Sequence, residues 1–369
     1  MDDSFENNLR QPYFFKPNRV WRLYKGGLLL DRFKNENKGA DDHFPEEWLA
    51  STVKAYNGEN TQSENEGVAE INSDELGFQY FSEFLYNYGE MILGEKHFKK
   101  FGPNTAILCK YLDSAVRLPI QCHPDVEIAK KLYNSSFGKT ECWHIISTRK
   151  INDIKPYILL GFKKGVKKED FKNAVINQKI DTMIEMLHKI EVKEGETYFV
   201  PARMPHAIGS GVFMLEVQEP SDWVVQPEQM CADFILSQSD MWGPLTPEQG
   251  LEVFDYTGYT KKELLLKISP SNELLVDSNN LKIQELIGKK HTNSFRLWSA
   301  KIKGNTEIQI SNSTLIVVLK GEGYLKWNNR NRFIKKSDYF FIPDFLKSIV
   351  FQSDENELLE ILICMPPEI

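Results

Sequence analysis

The stretch from Leu118 to Ile145, LPIQCHPDVEIAKKLYNSSFGKTECWHI, constrains the fold most, because it sets three side chains able to ligate a metal on apolar, strand-like segments. Gln121 and His123 lie two residues apart. In an extended strand residues i and i+2 project from one face, so the carboxamide and the imidazole point into one cavity. Pro124 then interrupts the ladder, Asp125 can cap a short helix running to about Lys131, and Gly138 marks a turn. Glu141 opens a second strand-like run reaching Ile146. A carboxylate inside such a run is costly to bury unless paired, which favours reading Glu141 as a ligand. These strands supply three donors, and a fourth must come from elsewhere.

The fourth candidate is His206, in KEGETYFVPARMPHAIGSG. An acidic-Gly turn leads into an apolar strand, then Pro201, then a histidine at the rim of a β-barrel. The spacing Gly195-x5-Pro201-x-Arg203-x2-His206 resembles the second cupin motif, G-x5-P-x-G-x2-H, with Arg203 where glycine is usual. The first cupin motif is half present, with Gln121 in place of the first histidine of H-x-H. One Gln, two His and one Glu suit a single Zn²⁺ with a position open to water or substrate; Mn²⁺ or Fe²⁺ are less favoured. His97, His188 and His291 sit in no such motif and read as structural. His144 falls on the strand face opposite Glu141. Cys122 and Cys142, beside the ligands, also turn away and read as buried small hydrophobes.

The three stretches LPIQCHPD, GKTECWHII and VPARMPHAIGSGVFMLEVQEPSD together resemble the type I mannose-6-phosphate isomerase family of the cupin superfamily, whose text runs close to LSIQVHPD, GKTE-x-W and PAG-x-x-HAIG-x-G…LEIQ. Weaker echoes lie in VWRLYKGGLLLDRF, EEWLAS and NTAILCKYLDSAVRLPIQ. The resemblance implies a zinc-dependent aldose–ketose isomerase acting on mannose 6-phosphate and fructose 6-phosphate, with Gln121, His123, Glu141 and His206 as ligands. It also marks Lys139 as an acid–base residue; an equal alternative is that Lys139 only holds substrate. Two departures stand out. The family arginine of SSDTTYR is Gln226 here, and the serine of LSIQ is Pro119. Arg203 is the candidate replacement cation in the cavity, against a plain rim arginine. Other readings stay open: a cupin isomerase acting on another sugar or sugar phosphate, a non-catalytic sugar-binding cupin, or a metal-dependent oxygenase.

The 369 residues can bury two cores. A net charge of −7 with both signs interspersed argues against a nucleic-acid surface. No run approaches a membrane helix or a signal peptide, so a cytoplasmic protein with a sugar phosphate as its small-molecule partner is expected. Five cysteines without a C-x-x-C pair give neither a disulfide framework nor a thiolate metal site.

The expected fold is mainly β: two cupin-type jelly-roll barrels with helical insertions. Residues 1–245 form the metal-binding barrel, with Leu28–Leu30 a short strand. Its insertions fall at about 73–101, capped by Asn72, Ser73 or Asp74 and covering a barrel mouth, and at 169–188. Residues 246–290 form a helical connector with N-caps at Thr246 and Thr260. Residues 291–369 form a degenerate second barrel. There KKSDYFFIPDFLKSIV aligns without a gap to KEGETYFVPARMPHAI, pairing Pro343 with Pro201 and Ser348 with His206. Gly321-Glu-Gly323 reads as a turn.

Overall fold

The computed structural model describes residues 9–36, 39–72, 76–354 and 357–369. Two β-sandwiches follow one another. In the first, a six-stranded sheet runs in the order Arg19–Val20, Glu46–Leu49, Leu108–Ser114, Val212–Gln218, Glu141–Thr148, Thr197–Val200. Facing it, Tyr157–Lys163 pairs with Leu187–Glu191, Gly258–Tyr259 and His206–Ile208. In the second, a seven-stranded sheet packs on the four strands Asn305–Gln309, Ser348–Gln352, Glu322–Trp327 and Arg330–Lys335.

The larger sheets of the two sandwiches lie back to back, and strand alternation divides their side chains between two cores. Along the strands Val212–Gln218 and Glu141–Thr148, Leu215, Val217 and Cys142 join Leu315, Val317, Leu362 and Cys364 of the other sandwich. Met214, Trp143 and Ile145 face the interior of the first. Glu141 and Glu216 share the inward parity and thereby enter the first interior.

The repeat holds in register. The strand Thr197–Val200 corresponds to Tyr339–Ile342, and His206–Ile208 to the strand that begins at Ser348. The expected Gly321–Gly323 turn is a one-residue break at Gly321, φ 80°, where the chain passes from the seven-stranded to the four-stranded sheet and a Cβ would lie 2.4 Å from the Leu358 carbonyl; Glu322 and Gly323 already pair with Lys335 and Ile334.

Several local expectations yield to tertiary contacts. Leu28–Leu30 belongs to a helix, Leu28–Phe33, because Asp113 Oδ2 accepts the N–H groups of Gly27, Leu29 and Leu30 at 3.0, 2.6 and 3.3 Å. A carboxylate far along the chain caps it. The 169–188 stretch is two helices, Lys168–Ile176 and Ile180–Glu185, broken where Gln178 takes φ 47°. Leu187 already starts a strand. The helix Phe81–Leu93 follows Tyr80 rather than Asn72; Ser73 and Asp74 lie outside the described residues. Its buried face joins the core between the sandwiches instead of covering a barrel mouth. The second sandwich opens at Glu273, inside the expected connector, and Tyr13–Phe14 from the chain's start adds to its sheet beside Tyr339–Ile342. Thr246 and Thr260 form the expected capping boxes.

Candidate metal centre and its cavity

Gln121 and Cys122 lie in an extended segment clasped from both sides. Gln121 exchanges backbone hydrogen bonds with His206 at 2.8 and 2.9 Å, and Cys122 with Val225 at 2.9 Å each way. Asp125 caps the helix Val126–Tyr133 by accepting from the Ile128 N–H. This pins His123 between a bridge and a helix start. His206 opens its strand opposite Leu160, and Glu141 opens its own between Gln218 and Val200.

The three side chains converge. His123 Nε2 lies 3.1 Å from Glu141 Oε1 and 3.2 Å from His206 Nε2, and each residue is 1% exposed. The donor atoms all fall within 4.8 Å of one another. Donors on a tetrahedral zinc at its usual bond lengths stand about 3.3 Å apart, so the spacing fits. Tautomers are set behind them: His123 Nδ1 donates to the Trp223 carbonyl and His206 Nδ1 to the Met204 carbonyl, both at 2.8 Å. Each Nε2 is left with its lone pair aimed at the shared focus. Burial lowers the pKa of His206 to about 3 and also lowers that of His123. Burial opposes the charge on Glu141, yet Lys139 and His123 hold its carboxyl well below the usual range. Glu141 Oε1 is buried without a hydrogen bond of good geometry. Two neutral nitrogens and an ionised oxygen meeting at one point fit a divalent cation. Lys139 brings a positive charge to the same place, its Nζ 3.1 Å from Glu141 Oε1 and 3.3 Å from His123 Nε2.

Gln121 and Lys139 line a cavity of about 1040 Å³ whose wall includes Arg22, Glu46, Lys110, Glu216 and Asp222. Sequence reasoning passed over these five charges, although Lys110 and Glu216 carry the same signal as Glu141, a charge within an apolar strand. Lys110 Nζ stands 3.4 Å from Glu216, 3.7 Å from Asp222 and 4.0 Å from Glu46. Arg22 pairs with Glu46 at 3.0 Å and Asp222 at 3.2 Å. Trp143 Nε1 donates to both Glu216 and Glu141. Burial and the neighbouring Glu141 raise Glu216 to about 7. Burial opposes ionisation of Asp222, but Arg22 and Lys110 hold its pKa below the ordinary value.

Arg203 is placed elsewhere. It is not among the residues lining the cavity; its Nε donates to the Val253 carbonyl at 3.2 Å and its Nη2 to Glu252 at 3.4 Å. Its φ of 68° turns the side chain toward the C-terminal end of the helix Pro247–Glu252, whose free carbonyls attract a cation. Gln226 does line the cavity, with its amide donating to the Asp240 carbonyl. His97, His188 and His291 each bond a backbone carbonyl, and His144 bonds Thr197 on the far face of its strand. Cys122 and Cys142 are fully buried, Cys142 in the core between the sandwiches and Cys122 in the interior of the first.

No family model matches the chain. It is 35% identical over 127 residues to the mannose-6-phosphate isomerase ManA of Bacillus subtilis, a match covering 33% of this chain and 36% of that protein, so about a third of that relative is spanned. It is 28% identical over 252 residues to a mannose-6-phosphate isomerase of Streptococcus mutans, covering 67% and 71%. The crystal structure of the Bacillus subtilis mannose 6-phosphate isomerase superposes with a TM-score of 0.74 at 19% identity, over 96% of this chain and 99% of that one. In sequence the chain is similar to mannose-6-phosphate isomerases, and it shares the fold of their solved structures over nearly its whole length. A further mannose 6-phosphate isomerase structure, solved with zinc and yttrium, shares the fold at a TM-score of 0.67 and 14% identity, over 97% of this chain and 100% of that one. The shared fold extends through both sandwiches. No helix among the described residues is long and apolar enough to cross a membrane.

Proposed function

We propose that the chain is a cytoplasmic, metal-dependent aldose–ketose isomerase interconverting mannose 6-phosphate and fructose 6-phosphate, with Gln121, His123, Glu141 and His206 holding one zinc ion. The observation that carries the reading is the convergence of two carbonyl-oriented imidazoles and a buried carboxylate behind a large, charge-lined cavity. A bound zinc ion supplies Lewis acidity, polarising the sugar carbonyl and steadying the charge that develops as a proton moves between C1 and C2.

The chain's own groups do the rest. Lys139, whose Nζ reaches both Glu141 and His123, is placed to hold or move a proton at the oxygens of C1 and C2. Asp222, on the cavity wall, can accept hydrogen bonds from sugar hydroxyls. Trp21, Tyr133 and Trp223 add aromatic surface to the cavity wall.

A second reading, an isomerase of the same chemistry acting on another aldose, is favoured by Gln226, which puts an amide already bonded to Asp240 where the resembling family carries arginine. Metal analysis together with a coupled fructose 6-phosphate assay tests both. One zinc per chain with turnover supports the first reading; zinc with turnover only of other sugars supports the second. Iron with oxygen uptake would displace both.

A further inference from the structure

We infer that Lys131 is the residue that recognises the charged end of the substrate, an anion carried by the sugar at the end remote from its carbonyl. This rests on the isomerase reading and names how the same cavity selects a phosphorylated sugar without a cation at position 226.

Arg22, Lys54, Lys110, Lys131 and Lys139 line the cavity. Arg22 faces Glu46 and Asp222, and Lys110 faces Glu46, Glu216 and Asp222. Lys139 faces Glu141, and Lys54 stands 3.9 Å from Glu64. Among the described cavity-lining residues, Lys131 is the cation without a carboxylate partner. A dianion meeting Arg22, Lys110 or Lys139 must compete with a buried carboxylate already in place, which costs the strength of a charge-assisted pair.

Position supports the assignment. Lys131 sits in the last turn of the helix Val126–Tyr133, which starts beside His123. Lys131 stands five residues along the helix from Val126, about 7.5 Å at helical rise, and only Pro124 and Asp125 separate Val126 from His123. Helical side chains lean toward the N-terminus, the end of this helix that starts beside His123. Asn134, on the same wall, adds an amide beside Lys131, and the Tyr133–Trp223 ring pair, 4.7 Å between centroids, borders the site.

Binding calorimetry of the zinc-loaded protein with mannose 6-phosphate tests the inference, while turnover in the coupled assay separately tests the isomerase reading. Lys131→Ala should weaken Kd about tenfold, Lys131→Glu more, and Lys131→Arg should restore it to within about twofold. Metal content and melting temperature serve as folding controls. Affinities of the Ala and Glu variants within twofold of wild type, or a wild type that binds no phosphorylated sugar, would overturn it. Wild type that binds the phosphorylated sugar through Lys131 but does not isomerise it would leave this inference standing and sink the isomerase reading.

Discussion

Acidification should unload stability through His144, and the size of the effect follows from its burial. The imidazole is 7% exposed, its Nδ1 lies 2.9 Å from Thr197 Oγ1, and burial lowers its pKa from 6.5 to about 4. The unfolded chain keeps the ordinary value, so between these pH values it binds a proton that the folded chain refuses. Stability from this group is therefore complete above pH 6.5 and is lost as pH falls to about 4. At 1.36 kcal/mol per pKa unit the loss approaches about 3 kcal/mol. His144→Gln stays neutral and can still bond Thr197, so its free energy of urea unfolding should fall less steeply with acid. The difference between wild type and variant should change by about 3 kcal/mol from pH 7 to pH 4. Parallel curves would refute the reasoning. Zinc content should be equal in the two proteins at pH 7, because His144 faces away from the other donors; lost zinc would show that it had been assigned to the wrong face.

Three further outcomes are expected. His206→Ala removes one of the converging donors, so bound metal and isomerase activity should disappear together; full zinc occupancy by elemental analysis would exclude this centre. Glu228→Ala should cost about 3–5 kcal/mol in urea unfolding, because this fully buried carboxylate accepts from both Arg117 nitrogens at 2.8 and 2.6 Å and from the Ile120 N–H beside Gln121; a cost under about 1 kcal/mol would rule the clamp out. Arg203→Ala should leave KM for the phosphorylated sugar within about twofold and cost at most about 1 kcal/mol, since its part-exposed guanidinium meets two main-chain carbonyls and, at 3.6 Å, the part-exposed Asp125 carboxylate; a tenfold KM rise would return it to the cavity.

What the sequence determined by itself was local in origin. Strand parity set Glu141 apart from Cys142 and His144, because alternation needs only neighbouring residues. Asp125, Thr246 and Thr260 announced their helices because a cap bonds within its own first turn. The Pro201–Pro343 repeat kept register because each copy is one strand and its turn. Tertiary structure decided whatever depended on a distant partner. Leu28–Phe33 is a helix because Asp113 arrives to cap it, and Arg203 leaves the cavity because the carbonyls of Glu252 and Val253 lie on the other side. Tyr13–Phe14 crosses to the second sandwich because Phe340 and Phe341 offer a free strand edge. The cavity's charge pattern is of the same kind. Arg22 meets Asp222 across 200 residues of chain, and that meeting, with Lys110 and Lys139 also taken by carboxylates, leaves Lys131 as the unpaired cation. No local rule could have chosen among five positive residues, because pairing is fixed by which strands the sheet brings side by side.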